Sequence, residues 1–136
     1  MHVCAEYGNT KLFEYFKKEY DAELNVTNKL RETPFTTAAR EGRLLIIKLH
    51  FEKYHLRFDP DARTVDEWSA FSYACINGFL NTIEYLASKK VNIHTSDRNK
   101  RTALHWAVRF DNAKVTELLL NLNMNHQAHD IEGKTP

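Results

Sequence analysis

Residues 101–122, RTALHWAVRFDNAKVTELLLNL, decide how this chain folds. In the first half of the stretch, apolar residues recur at i, i+3 and i+4, at Leu104, Ala107 and Val108. In the second half the same spacing continues to i+7, at Val115, Leu118, Leu119 and Leu122. This pattern predicts two short amphipathic helices joined by residues 110–112. Because helices this short cannot bury both apolar stripes by themselves, the stretch requires similar neighbours.

The rest of the chain repeats the same pattern. Its start signals are Thr33-Pro34-Phe35, Ser69-Ala70-Phe71, Thr102-Ala103-Leu104 and Thr135-Pro136, separated by 36, 33 and 33 residues. Each start places a hydroxyl at a predicted helix N-cap, and two place Pro at the first helical position, where no backbone N–H is needed. A period of this length is typical of a solenoid of stacked repeats.

Two further features recur in register with the starts. Small pairs, predicted to let neighbouring helices approach closely, follow at a fixed offset at Ala38-Ala39, Ala74-Cys75 and Ala107-Val108. Nine residues after each N-cap the pattern predicts a turn, occupied by Gly42, Gly78 and Asp111. Extended backwards, the template places Cys4-Ala5 at a small pair and Gly8 at a turn. The chain therefore reads as a series of repeats that begins and ends inside a unit.

These residues resemble the ankyrin repeat, whose unit reads T-P-L-H-x-A-A-x-x-G followed by a Leu-rich helix. The best match is TALHWAV at residues 102–108, and DIEGKTP at residues 130–136 is similar to the family's finger and helix start. The resemblance implies an all-α solenoid of antiparallel helix pairs joined by hairpin-like fingers. We expect one domain over residues 1–136, with units at 28–63, 64–96 and 97–129 and partial units at 1–27 and 130–136. The chain as a whole resembles a degenerate fragment of a longer ankyrin-repeat array.

The departures from the family pattern are specific. The histidine of the start motif is present as His2 and His105 but is replaced by Thr36 and Ser72 in the other two units. Larger residues also replace the family's glycines, at Arg31, Glu67, Lys90, Lys100 and Asn123. If those five positions adopt a left-handed backbone, each side chain costs about 1 kcal/mol or more, least for Asn. The spacing of 36 residues also predicts a three-residue insertion within residues 51–64, with a turn at Asp59-Pro60-Asp61.

Composition excludes several classes of protein. The formal charge is +1, which provides no net field to attract nucleic acid or an anionic membrane. The longest uncharged run, residues 68–83, has 16 residues and is too short to span a bilayer. No signal peptide opens the sequence, and the only cysteines, Cys4 and Cys75, are predicted to be buried. We therefore expect a cytoplasmic, intracellular protein without disulfides.

The sequence contains no catalytic motif and no cofactor motif. None of the seven histidines lies in H-E-x-x-H or beside C-x-x-C, and the four glycines are too far apart to form a phosphate loop. His126 and His129 stand at i, i+3, but two ligands do not make a metal site. A buried Cys75 thiol would be unreactive. We expect no enzyme activity, no cofactor and no small-molecule substrate.

The resemblance also implies which positions face the concave groove of the array. In unit 28–63 they carry the polar residues Thr37, Arg40 and Glu41, and in the next two units they carry Trp68, Tyr73, Ile76, Asn77, Arg98, Arg101, Trp106, Arg109 and Phe110. Trp, Tyr and Arg are enriched in binding hot spots because they combine a large contact area with directed polar groups. We therefore predict a partner-binding site at Trp68, Tyr73, Asn77, Arg98, Arg101, Trp106, Arg109 and Phe110. The alternative is that the two tryptophans only pack on adjacent fingers.

Two functional hypotheses follow from the sequence. In the first, the chain is a non-enzymatic protein-binding or scaffold module that holds a protein partner in its groove, without nucleic acid and without insertion into a membrane. In the second, it is a substrate-docking or targeting segment of a larger protein, such as an ankyrin-type palmitoyltransferase, an ion channel or a cytoskeletal assembly. The units cut at both ends motivate the second hypothesis, since solenoids normally end in polar caps.

Overall fold

The computed structural model describes residues 1–54 and 57–136, which form eight α-helices in four consecutive pairs. The helices are α1 His2–Tyr7, α2 Thr10–Tyr20, α3 Pro34–Arg40, α4 Leu44–Lys53, α5 Ala70–Ile76, α6 Leu80–Ser88, α7 Ala103–Arg109 and α8 Ala113–Asn121. Within these residues the only strand-like pairing is an isolated antiparallel bridge between Ser96 and Thr102. The prediction of an all-α solenoid is confirmed.

Each predicted start signal in the interior of the chain begins a helix. Thr33 and Ser69 are N-caps whose hydroxyl oxygens accept hydrogen bonds from the backbone N–H three residues later, both at 3.2 Å. At the third start, the backbone N–H of Thr102 donates to Nδ1 of His105 at 3.1 Å. Nε2 of the same ring lies 3.1 Å from the carbonyl oxygen of Lys134, so His105 joins a helix start to the following finger. This histidine therefore has a structural role.

The inner helices α1, α3, α5 and α7 pack against one another in succession, and each outer helix packs against its own inner partner. Contacts between inner helices are more extensive than contacts between outer helices. The stack therefore curves toward the inner helices, which places them and the fingers on its concave side. Small residues permit the close approach, because Ala39, Ala74 and Ala107 have no exposed surface.

Val108 does not follow this prediction. It was expected to be a buried member of a small pair, but 45% of its surface is exposed. Cys75 occupies the equivalent place on α5 and is fully buried, because α5 has an inner helix on either side. Among the helices of the described residues, α7 packs against only one other inner helix, α5, which leaves the Val108 side chain uncovered.

The predicted turns after the inner helices adopt a left-handed backbone. Gly42 and Gly78 have φ values of 66° and 76°, and Asp111 has a φ value of 53° at the same place in its unit. A Cβ atom on Gly42 would lie 2.8 Å from the ring of Phe79, so the next unit also requires the absence of a side chain there. The five positions that replace family glycines also have positive φ, between 57° and 66°, at Arg31, Glu67, Lys90, Lys100 and Asn123.

Each finger is a tight hairpin closed by backbone hydrogen bonds. They run from residue 28 to 32, 64 to 68, 97 to 101 and 130 to 134, at 3.1, 3.0, 2.9 and 2.9 Å. One further backbone bond links each finger to the next, from Val65 N–H to the Leu30 carbonyl, for example, at 3.0 Å. The predicted turn at Asp59 is present, closed by the Ala62 N–H at 3.4 Å. His55 and Leu56, inside the predicted insertion, lie outside the described residues.

The core lies between the inner and outer helices. Aliphatic residues of the outer helices α4, α6 and α8 fill it. Six of them have no exposed surface, namely Ile46, Ile47, Ile83, Leu86, Val115 and Leu119, whereas Leu49 and Leu118 are partly buried against them. One core residue was not predicted from the sequence. His50 is fully buried on α4 among the rings of Phe13, Phe35 and Phe58, at centroid distances of 5.0–5.3 Å.

Candidate functional site

Four aromatic side chains form a continuous row across the concave side of the last two helix pairs. Trp68 closes the finger before α5, Tyr73 lies on α5, Trp106 lies on α7, and Phe110 is the C-cap of α7. The ring centroids of Trp68 lie 5.2 Å from Tyr73 and 5.4 Å from Trp106, and Phe110 stacks on Trp106 at 5.7 Å. We call Trp68, Tyr73, Trp106 and Phe110 the groove cluster.

Helix geometry explains why the cluster faces outward. Tyr73 and Trp106 each follow the start-motif residue and precede a buried alanine, Ala74 or Ala107. Successive residues of a helix point about 100° apart, so these buried neighbours lie on the flanks of each helix, and the ring between them packs against the fingers instead. All four rings keep exposed surface, and Phe110 is 55% exposed.

Trp106 is held in place by the finger that precedes its helix. Its Nε1–H donates to Oδ2 of Asp97 at 3.1 Å. The other carboxylate oxygen of Asp97 accepts the backbone N–H groups of Asn99 and Arg101 at 2.8 and 2.9 Å. The indole orientation is therefore fixed by a carboxylate that is itself held by the backbone, which lowers the entropy cost of presenting the ring to a partner.

Tyr73 belongs to a polar network that connects the cluster to the first full unit. Its hydroxyl donates to Oε1 of Glu32 at 3.2 Å, and burial is the main reason that the pKa of Tyr73 is raised to about 12. The nearby Glu32 carboxylate adds to this increase. Glu32 is itself buried, accepts Nδ2–H of Asn28 at 2.7 Å, and forms an ion pair with Nε of Arg40 at 3.0 Å.

The other predicted site residues surround the cluster but differ in how they are engaged. The guanidinium group of Arg101 lies 5.4 Å from the Trp106 ring centroid and 3.6 Å from the Asp130 carboxylate. Its side chain is 19% exposed, so it joins two fingers as well as covering the indole. The side-chain amide of Asn77 donates to the carbonyl oxygen of Arg40 at 2.9 Å, which ties the ends of α3 and α5 together.

Arg98 and Arg109 are the exposed cations of this surface. The guanidinium group of Arg109 lies 5.8 Å from the Trp106 centroid, a distance consistent with a cation–π contact. Arg98 lies at the finger tip, in a depression that Trp68 and Trp106 also line. Over residues 1–54 and 57–136, neither arginine forms an ion pair.

The structure brings all eight predicted residues to one side of the last two helix pairs. Sequence reasoning missed the two carboxylates that orient the rings, Glu32 and Asp97. Asp97 had a detectable signal, because it occupies the same finger position as Asp130, whose side chain makes the same two backbone contacts. No sequence pattern indicated the role of Glu32, since its partner Tyr73 is 41 residues away in the sequence.

The part of the chain that the structure describes contains no group of three metal-ligating side chains, and His126 and His129 are both exposed. Burial in apolar surroundings raises the pKa of the Cys75 thiol far above its ordinary range, which makes it a poor nucleophile. None of the eight described helices is long and apolar enough to pass through a bilayer.

Comparison with known proteins identifies the repeat. The family model described as ankyrin repeats (3 copies) matches residues 49–130. Inversin from Mus musculus is 29% identical over 122 residues, which is 85% of this chain and 11% of that protein. Palmitoyltransferase ZDHHC17 from Danio rerio is 44% identical over 52 residues, or 38% of this chain and 8% of that protein. Alpha-latrotoxin-Lhe1a from Latrodectus hesperus is 30% identical over 130 residues, 88% of this chain and 8% of that protein. The chain therefore spans about a tenth of the length of these relatives.

Proposed function

This chain belongs to the ankyrin-repeat family, and we propose that it binds a protein partner through the groove cluster and catalyses no reaction. The family is a protein-interaction module. Trp68, Tyr73, Trp106 and Arg109 are the proposed anchors, with the remaining predicted residues, Asn77, Arg98, Arg101 and Phe110, around them. Free, buried thiols at Cys4 and Cys75 support a reducing, cytoplasmic setting as part of the proposal.

The exposed row of four aromatic rings carries this proposal. Aromatic side chains at core positions of the same helices, such as Phe71 of α5, are fully enclosed by the chain's own helices. The groove cluster instead keeps one face open while its polar atoms are bonded from behind, by Asp97 and Glu32. A rigid, partly apolar surface of this kind is the usual centre of a protein–protein contact, and nucleic acid is not part of the proposal.

Affinity capture tests the proposal directly. The wild-type chain and the double variant Trp68→Ala/Trp106→Ala are used as baits, and proteins retained only by the wild type are identified and then titrated in purified form. We expect the double variant to lose at least tenfold in affinity, because both rings are removed from the centre of the surface. Affinities that agree within twofold would reject the groove cluster as the binding site.

Tyr20→Ala provides the matched control. Tyr20 is an exposed aromatic residue, 67% accessible, on the outer helix α2. Its removal deletes an exposed aromatic ring from an outer helix, outside the groove cluster, and we expect unchanged affinity. Circular dichroism spectra of all variants must superimpose, so that a loss of binding is not a loss of fold.

A second candidate function is docking or targeting within a larger protein. Two observations favour it: each of the relatives described above is about ten times longer than the matched segment, and one of them is a palmitoyltransferase. In that case the groove cluster would select a substrate or a location for an activity encoded elsewhere. The transcript decides between the two, because an open reading frame that continues into a cysteine-rich catalytic motif with membrane spans supports docking. A reading frame that encodes no further domain on either side of these residues contradicts it.

A further inference from the structure

Resting on the proposed function, we propose that the groove cluster takes an acidic partner segment, in which an apolar or aromatic side chain is flanked by Asp or Glu. The apolar side chain packs on Trp106 and Phe110. The flanking carboxylates pair with Arg98 and Arg109. On this surface most carboxylates are bonded within the protein, whereas two guanidinium groups have no ion-pair partner among the described residues.

Three carboxylates beside the cluster, those of Glu32, Asp97 and Glu41, are bonded within the chain itself. Glu32 is bonded to Asn28, Tyr73 and Arg40, and Asp97 accepts two backbone N–H groups and the Trp106 indole. Oε1 of Glu41 lies 2.8 Å from Nη1 of Arg40, in a local ion pair. These groups have little capacity left for a cationic ligand, because their lone pairs are already directed at donors within the protein.

The cations are distributed differently. Arg101 is shared between two carboxylates of the next finger, at Asp130 and Glu132. Arg98 and Arg109 are exposed, and the described residues provide neither of them with an ion-pair partner. Both lie next to Trp106, one in the depression at its finger side and one over its ring. A ligand seated on the indole therefore has beside it two guanidinium groups that lack an ion-pair partner among the described residues, an arrangement complementary to carboxylates.

Asp66 is the opposing charge. It is an exposed carboxylate without an ion pair among the described residues, and it lines the same depression as Arg98. Asp66 should weaken the attraction of the groove for an acidic segment without abolishing it, since it lines the depression at Arg98 but not the one at Arg109. The carboxylates in the Arg109 depression, Asp130 and Glu132, are paired with Arg101. Removing the Asp66 charge therefore distinguishes two cases. A groove that attracts an acidic segment should bind it more tightly, whereas a purely apolar groove should show no change in affinity.

The experiment begins with selection from a random peptide-display library, which can be carried out before any partner is identified. Wild-type protein and Trp106→Ala are used as separate baits, and peptides enriched only by the wild type are sequenced. We expect the wild-type pool to show Asp or Glu on both sides of an apolar or aromatic position. A peptide from this pool is then synthesised and titrated by fluorescence anisotropy.

Charge variants then test the pairing with that peptide. Arg98→Gln and Arg109→Gln should each weaken binding about three- to fivefold, and Asp66→Asn should strengthen it about twofold, at about 0.05 M salt. Lys114→Gln is the control, because Lys114 is an exposed cation on α8, away from the cluster. All differences should shrink when the salt is raised to about 0.5 M.

The outcomes separate this inference from the function on which it rests. Peptides that require Trp106 but show no acidic enrichment, or that are indifferent to Arg98, Arg109 and Asp66, overturn the acidic partner and leave the groove as a binding site. Peptides that bind Trp106→Ala as well as wild type, or a selection that enriches no peptide, count against both proposals.

Discussion

The aromatic cluster around His50 and the groove cluster around Trp106 contain similar side chains but lie in opposite environments. In the first, Phe13, Phe35 and Phe58 enclose His50 with centroids 5.0–5.3 Å away, and almost none of their surface is exposed. In the second, the rings pack at 5.2–5.7 Å but remain open to solvent on one side.

The difference follows from the position of each ring within the repeat. Phe35 is the third residue of a start signal and points between the inner and outer helices, where every unit needs an apolar side chain. Trp106 follows the start-motif His105 and lies on the finger side of α7, where it keeps exposed surface. The residues at this position of the four units differ: Val3, Thr37, Tyr73 and Trp106. Burial therefore makes the first cluster a source of stability, and exposure makes the second cluster a surface available for binding.

Phe35→Ala should have the largest effect on stability, and it tests the buried cluster around His50. Phe35 has no exposed surface and packs on His50, Phe51 and Phe58. Removing the ring loses its burial and leaves a cavity, so the free energy of unfolding should fall by about 3–5 kcal/mol. Urea denaturation followed by circular dichroism measures the change. A loss below about 1 kcal/mol would contradict the assignment of this ring to the core.

Acid should weaken the buried cluster through His50. Burial lowers the pKa of His50 from 6.5 to about 4, while a hydrogen bond to the Ile46 carbonyl opposes this shift. Between these two values the unfolded chain binds the proton and the folded chain does not, so stability is complete above pH 6.5 and decreases as the pH falls. The loss reaches about 3 kcal/mol at pH 4.

His50→Phe isolates that contribution from other acid-sensitive groups. Urea midpoints measured from pH 7.5 to pH 4 should fall less steeply in the variant than in the wild type, because the variant has no proton to gain at this position. Parallel curves for the two proteins would show that His50 does not control the acid response. Binding of a groove ligand at pH 7.5 should be unaffected, since His50 lies in the core and not in the groove cluster.

Phe110→Ala should have the smallest effect on stability, and it tests the exposed groove cluster. Phe110 is 55% exposed and contacts the rest of the cluster by stacking on Trp106. We expect the free energy of unfolding to change by less than about 1 kcal/mol, because most of this side chain is never taken out of water. The affinity for a selected peptide should nevertheless fall about fivefold. A stability loss comparable to that of Phe35→Ala would remove the distinction between the clusters.

Much of the fold could be predicted from the sequence because it depends on local rules that recur with the repeat. The N-caps at Thr33 and Ser69 follow from short polar side chains that satisfy free backbone N–H groups. The turn positions follow from the register alone, which assigns Glu67 and Lys100 to places where the family has glycine. Their positive φ values show that the register overrides the preference of the residue.

The prediction was wrong where burial depends on which elements are adjacent. Val108 belongs to the apolar stripe of α7 by its spacing, but a stripe is buried only where another element covers it. His50 shows the reverse case, since a histidine in the last turn of a helix gives no sign that three phenylalanines will enclose it. Both outcomes depend on residues that are distant in sequence.

The sequence by itself determined the period, the helix starts, the left-handed turns and the positions of the groove side chains, because each depends on backbone geometry within one unit. Only the tertiary structure decided how those side chains are used. It joined Trp68, on one finger, to Trp106 on the next inner helix, and it placed Glu32 behind Tyr73 and Asp97 behind Trp106. It also left Arg98 and Arg109 without carboxylate partners within the described residues. Hydrogen bonds and ion pairs between units depend on how closely the inner helices stack, a distance that no single repeat contains.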